Sequence, residues 1–253
     1  MIRFDKVTKI LNGKPVLDGI SFEVEKGEVF VIVGSSGAGK SVTLKHVVRL
    51  LTPDDGQVCV GDDVISEASG HKLEHIRERF GYLFQGGALI AWLSVAENVA
   101  LPLREKTNLP ESEIQGTTQE MLKLVGLQDD AEKFPSEISG GMRKRAGLAR
   151  AIVRKPEIIL YDEPTSGLDP VTSRTIDSLI SSMQKELGVT SIVVTHDLHS
   201  ALSIGTRIAM LHGGKMVEVS TPEEFIKSSN QEVQAFLDAQ FITKEGSWER
   251  NLK

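Results

Sequence analysis

The densest chemistry in this sequence sits in the stretch "GSSGAGKS", Gly34-Ser35-Ser36-Gly37-Ala38-Gly39-Lys40-Ser41, directly after the apolar run "VFVIV" at 29–33. Its spacing is G-x-x-x-x-G-K-[ST], a glycine loop between a strand and a helix. Glycines at these positions let successive backbone N–H groups curl around an anion. Lys40 is placed to reach the β- and γ-phosphates of a nucleotide, and the Ser41 hydroxyl to ligate Mg²⁺. A second apolar run, "EIILYDEP" at 157–164, delivers Asp162 and Glu163 to the C-terminal edge of a strand. Ligands bind at that edge in open α/β sheets. Asp162 suits Mg²⁺, held through water, and Glu163 suits polarising an attacking water, because phosphoryl transfer needs positioning and charge stabilisation above all.

Two further strand ends carry polar groups. Gln85 closes "FGYLFQ" and could reach Mg²⁺ and water; His196 closes "TSIVVTH" and could hydrogen-bond a γ-phosphate. Each is ordinary alone and gains meaning from the set. A second anion site is legible at "PSEISGGMRKRAGLARA", residues 135–151. Ser139 can cap that helix, while Gly140 and Gly141 leave its first N–H groups bare at the positive end of the dipole.

The elements that must position these groups follow from pattern. "IRFDKVTKILNGKPVLDGISFEVEKGEVFVIVG" reads as strands with turns at Asn12-Gly13 and Lys26-Gly27. Helices are expected after the glycine loop, over 71–79 and near 171–187, with a short strand over 57–60 and a buried strand at "FGYLFQ". Between about 87 and 155 apolar residues recur at helical spacing. A hairpin at Gly213-Gly214 follows, then a helix start at "TPEEF" with Thr221 as cap and Glu224 reaching back, then an amphipathic tail helix from Val233 to Phe241. No internal repeat or low-complexity segment interrupts the 253 residues.

The bulk numbers exclude several classes. Net charge is −6 with no lysine-rich block, which argues against a dedicated nucleic-acid binder. The single cysteine, Cys59, has no internal disulfide partner and suits a reducing compartment. The remaining histidines, 46, 71, 75, 199 and 212, show no metal-ligand spacing and read as surface or packing. Apolar runs fall far short of the ~20 residues that span a bilayer, and "MIRFDKV" has no signal-peptide core. The expectation is a cytoplasmic chain whose membrane role, if any, comes through a partner.

The order phosphate loop, Gln85, "SGGMRKR", "YDEP", "SGLD", "THD" resembles the ATP-binding cassette (ABC) ATPases from about residue 2 to 220. The resemblance implies an α/β phosphate-loop NTPase core with an N-terminal antiparallel β part and an inserted α-helical subdomain at about 87–155, forming an ATPase domain over 1–220 with a helical tail at 221–253. It implies ATP and Mg²⁺ as cofactors, Glu163, His196 and Gln85 as catalytic groups, and Ser41, Gln85 and Asp162 around the metal. It also implies that two copies pair head to tail, so that ATP lies between the phosphate loop of one and Ser139–Met142 of the other, with Asp169 of "SGLD" at the interface. A charge count agrees: ATP carries roughly four negative charges, Mg²⁺ and Lys40 offset about three, and each helix start supplies only about half a charge. Loss of the γ-phosphate would weaken the bridge and open the pair.

Two departures stand out. Leu11 occupies the place of the usual adenine-stacking aromatic, and Met142 the place where many relatives have glutamine. "LFQGGAL", "ENVALPLRE", "SGGMRKR" and "DEPTSGLDPVT" together look most like the ATPase of bacterial Mla-type phospholipid transporters. That resemblance implies an MlaE-like integral-membrane permease as partner, a lipid-binding protein of the mammalian-cell-entry (MCE) type indirectly, no nucleic acid, and a place on the cytoplasmic face of the bacterial inner membrane. The function expected is ATP-driven phospholipid transport for membrane lipid asymmetry. Alternatives are an importer ATPase for amino acids or other small solutes, a soluble ABC ATPase acting on DNA or ribosomes, and a monomeric phosphotransferase; an acidic chain without a long coiled-coil insertion or second cassette disfavours the third, and the unused "SGGM" site the fourth. "GGALIAWLSVAENV" is read either as core of the helical part or as the border of a permease groove, exposure of Leu89, Ile90, Trp92 and Leu93 favouring the groove.

Overall fold

Asn12 and Gly13, both with positive φ (51° and 74°), turn strand β1 (Ile2–Leu11) back into β2 (Lys14–Val24). This is the two-residue turn whose twist matches paired strands. β4 (Asp55–Val60) and the short β5 (Asp63–Val64) extend the antiparallel sheet in the order β2-β1-β4-β5. A bulge between Phe4 and Val7 keeps Ile2, Phe4 and Val7 all buried although the strict two-residue alternation is broken. Phe4 stacks on Phe22 with ring centroids 4.4 Å apart.

The structure, a computed structural model, describes residues 1–240 of the chain. It divides into two units, Met1–Ile76 together with the chain from Ile192, and Arg77–Ser191. Besides the antiparallel sheet, the first unit holds β3 (Val29–Val33), β9 (Arg207–His212) and β10 (Lys215–Ser220). β8 (Thr190–Thr195) runs across the division, and the strand order is β10-β9-β3-β8. β3 and β9 are parallel, Phe30 opposite Arg207 through Val33 opposite Met210. All five residues of β3 are buried, as expected of a central strand without polar alternation. Helix α1 (Lys40–Val47) follows the glycine loop, and α2 (Gly70–Glu78) carries the chain to the second unit.

In the second unit β6 (Phe80–Leu83) pairs in parallel with β7 (Ile158–Asp162). Helices α3 (Val95–Lys106), α4 (Glu111–Leu124) and α5 (Gly140–Ile152) enclose a core that includes Val95, Val99, Leu103, Ile114, Leu122, Ala146 and Ala149. Ser94 and Glu97 form a reciprocal capping box at the start of α3, worth about 1 kcal/mol. α6 (Pro170–Leu187) begins at its cap Asp169. Back in the first unit come α7 (Leu198–Ile204), α8 (Pro222–Ile226) and α9 (Gln231–Ala239). The Thr221–Glu224 capping box forms as its sequence implies.

Two expectations are corrected. "FGYLFQ" is strand only to Leu83, with Phe80 and Tyr82 half-buried and Phe84 and Gln85 exposed, because Gly86 and Gly87 turn the chain at positive φ. The tail helix starts at Gln231, two positions before Val233, since the Asn230 side chain accepts from the Glu232 and Val233 N–H groups (2.9 and 3.3 Å). Its expected end, Phe241, lies outside the described residues. Among the described residues no helix is long and apolar enough to cross a membrane.

Candidate functional site

In the first unit the glycine loop leaves buried β3 and enters α1. Gly34 has φ 154°, and a Cβ there would come within 2.3 Å of the Leu211 carbonyl oxygen, so the backbone approach admits only glycine. Ser35, Ser36 and Gly37 are exposed, Ala38 and Ser41 half-buried, and Gly39 and Lys40 buried. The loop thus has an accessible tip and an anchored base. Lys40 Nζ donates to the carbonyls of Gly34 (2.8 Å) and Ser35 (3.0 Å), holding the cation against the loop it must serve. α1 starts from left-handed Gly39 with no side-chain cap and no acidic residue in its first turn, the condition in which helix-start N–H groups suit an anion.

His196 leaves β8, the neighbour of β3, and is exposed. Its segment is braced from two directions. Asp197 caps α7 by accepting from His199 and Ser200 N–H (2.9 and 3.2 Å). Gln240, just past α9, accepts from Leu198 N–H (2.9 Å) and donates to the His196 carbonyl (2.5 Å). On the sequence expectation that His196 meets the γ-phosphate, Gln240→Ala should lower turnover about 5-fold with nucleotide affinity unchanged; steady-state kinetics beside equilibrium ATP binding checks it.

In the second unit Asp162 ends β7 and Glu163 follows at φ 51°, a left-handed conformation uncommon for a residue with a side chain. Both are buried. Tyr82, opposite Leu160 on β6, donates its hydroxyl to Asp162 Oδ2 (3.4 Å). Burial first, and the Asp162 charge second, push this phenol far above its ordinary value, so it stays a donor. Gln85 is exposed two residues beyond β6.

α5 is the hub of this unit. Ser139 caps it, its Oγ accepting from Met142 N–H at 3.2 Å, with no acidic residue in the first turn. Ser139 is exposed, Gly140 and Met142 are half-buried, and Gly141 is buried beside Thr172 of α6. Arg143 donates to the Ile138 carbonyl (2.7 Å), fixing the turn before the cap. Further along, Gly147 packs so closely on the turn after Gln85 that a Cβ would lie 2.8 Å from the Gly87 carbonyl, to which Arg150 donates (2.9 Å). Between them Lys144 is buried and donates to the Glu163 carbonyl (3.1 Å), the Ser166 carbonyl and Ser166 Oγ (3.2 Å). Burial pushes its ammonium down to about 8, opposed by the Glu163 charge. Asp169 caps α6 by accepting from Val171 and Thr172 N–H (3.0 Å each) and from the Thr172 hydroxyl (2.6 Å), bonds from Thr172 that hold its carboxyl below the ordinary range.

The second unit thus gathers Asp162, Glu163 and the Ser139–Met142 start onto elements tied to one helix, while the phosphate loop and His196 belong to the first. Sequence reasoning missed Lys144, Arg150, Tyr82 and Gln240. A signal existed for Lys144 alone: it falls between Gly141 and Gly147 at three-residue spacing, on the buried stripe of α5. Among the described residues no group of His, Cys, Asp and Glu could hold a metal ion by itself. His46 is buried, with Nδ1 2.7 Å from the Val42 carbonyl; the other four histidines set aside from the sequence are exposed.

An α/β core with a glycine loop after a buried strand, and carboxylates at the end of a second strand, defines a phosphate-loop nucleotide-binding ATPase. The chain belongs to the ABC transporter family, whose model matches residues 17–166. It is 42% identical over 236 residues to "Probable ribonucleotide transport ATP-binding protein mkl" of Mycobacterium leprae, covering 93% of this chain and 68% of that protein. It is 38% identical over 237 residues to the "Intermembrane phospholipid transport system ATP-binding protein MlaF" of Haemophilus influenzae, covering 94% of this chain and 90% of that protein. It is 40% identical over 226 residues to the "Methionine import ATP-binding protein MetN" of Caulobacter vibrioides, covering 88% and 68%. Among solved structures, the dimeric structure of MJ0796, a bacterial ABC transporter cassette, superposes with a TM-score of 0.82 at 33% identity, over 88% of this chain and 99% of that one. The chain is an ABC ATPase: it binds and hydrolyses ATP.

Proposed function

We propose that this ATPase powers phospholipid transport through a separate membrane permease, and that two copies of the chain close around ATP to do so. What supports the lipid reading is the 38% identity to the phospholipid-transport relative, held over 94% of this chain. The pairing reading is supported by the dimeric structure of the neighbouring cassette, and by the acid-free helix start capped by Ser139, distinct from the uncapped one that follows the phosphate loop.

Within this reading Gly34–Gly39 and Lys40 cradle the phosphates, and Glu163 holds the attacking water with His196 on the γ-phosphate. Ser139–Met142 serve the ATP of the other copy, and Asp169 lies at the pair's interface. Ser41, Gln85 and Asp162 offer a hydroxyl, an amide oxygen and a carboxylate, the hard oxygen donors Mg²⁺ takes; bound there, Mg²⁺ would neutralise phosphate charge. Residues 1–220 form the ATPase domain, with its helical part at about 87–155, and 221–253 a tail.

The permease contact is read onto a groove of about 390 Å³ in the second unit, lined by Tyr82, Phe84, Leu101, Pro102, Arg150 and Arg154 among others. Nearby in sequence, Trp92 is 79% exposed, while Leu89, Ile90 and Leu93 are half-buried. Of these four residues only Trp92 is exposed, so docking is read onto Trp92, while Val95 and Val99 belong to the core and Leu89 packs against it. In this reading the subunit works at the cytoplasmic face of the inner membrane, with an MlaE-like permease as direct partner and an MCE-type protein beyond it. No nucleic acid enters the reading, given a net charge of −6. Copurification of the permease with this chain, followed by mass spectrometry of the bound molecule, tests it: a glycerophospholipid is the expected cargo. Methionine or another amino acid would instead favour the importer reading, which the 40% identity to the methionine relative supports.

Adenine recognition is a further test. Leu11 is half-buried at the end of β1, offering apolar contact without an aromatic face. Leu11→Tyr is expected to tighten ATP about 5-fold, the ~1 kcal/mol a stacked ring adds; nucleotide titration calorimetry reads the change.

A further inference from the structure

We infer that Lys144 is a positioning residue that couples the Ser139–Met142 turn to the backbone of Glu163, so that engagement of one nucleotide by α5 sets the pose of the glutamate serving another. The inference rests on the pairing reading above. In that reading one chain lends Ser139–Met142 to its partner's ATP and Glu163 to its own.

The geometry is specific. Lys144 is 4% exposed and its ammonium meets three acceptors, the carbonyls of Glu163 and Ser166 and the Ser166 hydroxyl oxygen, one for each of its N–H bonds. Ser166 Oγ donates in turn to the Glu163 carbonyl at 3.1 Å. The residue so held is left-handed at φ 51°, a conformation that persists only when its surroundings impose it. Five residues of helix, about 7.5 Å of rise, separate Lys144 from the cap Ser139. A continuous α-helix transmits displacement over that length as a rigid rod. Arg143 pins the turn before the cap, so a pull on Ser139–Met142 reaches Lys144 without slack in a loop.

The chemistry argues against a merely structural ammonium. Burying a cation is costly, and an apolar residue of similar volume would fill the same space at least as stably. What an apolar residue lacks is a directional hold on the Glu163 carbonyl. A shift there of about 1 Å is enough to cost ~10²-fold in rate.

The test uses the full chain with Lys144→Met, Lys144→Gln and Ser166→Ala. Turnover against ATP concentration is measured for each, and pairing by sedimentation with ATP in the Glu163→Gln background. Lys144→Met is expected to lower kcat ~30-fold with KM within ~2-fold, and to reduce a Hill coefficient above one to one, while pairing persists. Ser166→Ala should move the same parameters in the same direction by ~3-fold, and Lys144→Gln, which keeps two donors, should fall between. If Lys144→Met does not fold, the other two variants decide. Wild-type kcat and Hill coefficient in a variant that pairs would overturn the coupling. Joint loss of ATP affinity, pairing and turnover would assign Lys144 to fold support and overturn it as well. Failure of the Glu163→Gln chain itself to pair would strike the underlying reading first, and is told apart because it appears with Lys144 intact.

Discussion

Glu163→Gln is expected to lower ATP turnover ~10³-fold or more while ATP still binds and holds two protomers together, as when a general base is lost from a water attack. The residue stands one position past β7, 9% exposed, with its carbonyl gripped by Lys144 and Ser166. Glutamine matches glutamate in volume and in hydrogen-bond reach. The left-handed backbone, the turn and the Lys144 contact therefore survive the change. What disappears is a basic oxygen able to take a proton from water. The γ-phosphate then stays in place, and with it the charge that attracts the second helix start. Phosphate release together with sedimentation velocity reads both halves of the outcome. A variant that hydrolyses ATP at the wild-type rate, or that stays monomeric with ATP bound, would remove Glu163 from its role.

Lys40→Ala is expected to weaken ATP binding ~30-fold or more, corresponding to the 2–5 kcal/mol that truncation of one member of a buried charged pair costs. The argument has two parts. The first is electrostatic, since the loop offers backbone dipoles but only this one full positive charge along Gly34–Ser41. The second is conformational. Lys40 Nζ ties the Gly34 and Ser35 carbonyls at 2.8 and 3.0 Å, so its loss also frees the loop to turn carbonyls toward the phosphates. Fluorescent-nucleotide titration gives the affinity directly. Unchanged affinity would mean that the phosphates lie elsewhere.

Local chemistry made much of this legible before any coordinates. Asn12-Gly13 demanded a hairpin turn, the glycine spacing of 34–41 a loop between a strand and a helix, and Thr221 with Glu224 a capping box; each is decided within a few residues. Asp162 and Glu163 were legible because an unbroken apolar run must be a buried strand, and its end is where the chain emerges. Lys144 was legible only as a position on the buried stripe of α5, between half-buried Arg143 and Arg145; its acceptors, the Glu163 and Ser166 carbonyls, come from packing against the turn after β7. Tyr82 meets Asp162 through strand register, and Gln240 meets His196 across 44 positions of sequence. Such contacts have no local signature. The boundaries that shifted, at Leu83 and Gln231, shifted because a positive-φ glycine pair and an asparagine cap outweighed apolar periodicity.

The central claim is that ATP is hydrolysed in a site completed by a second copy, because one protomer leaves the γ-phosphate under-neutralised. Specific ATPase activity of the unaltered chain, measured across protein concentration at saturating ATP and paired with sedimentation at each point, tests this most directly. The account predicts specific activity that rises with concentration in step with the dimer fraction and falls toward zero where only monomer sediments. Constant specific activity down to concentrations at which every molecule is a monomer would contradict it.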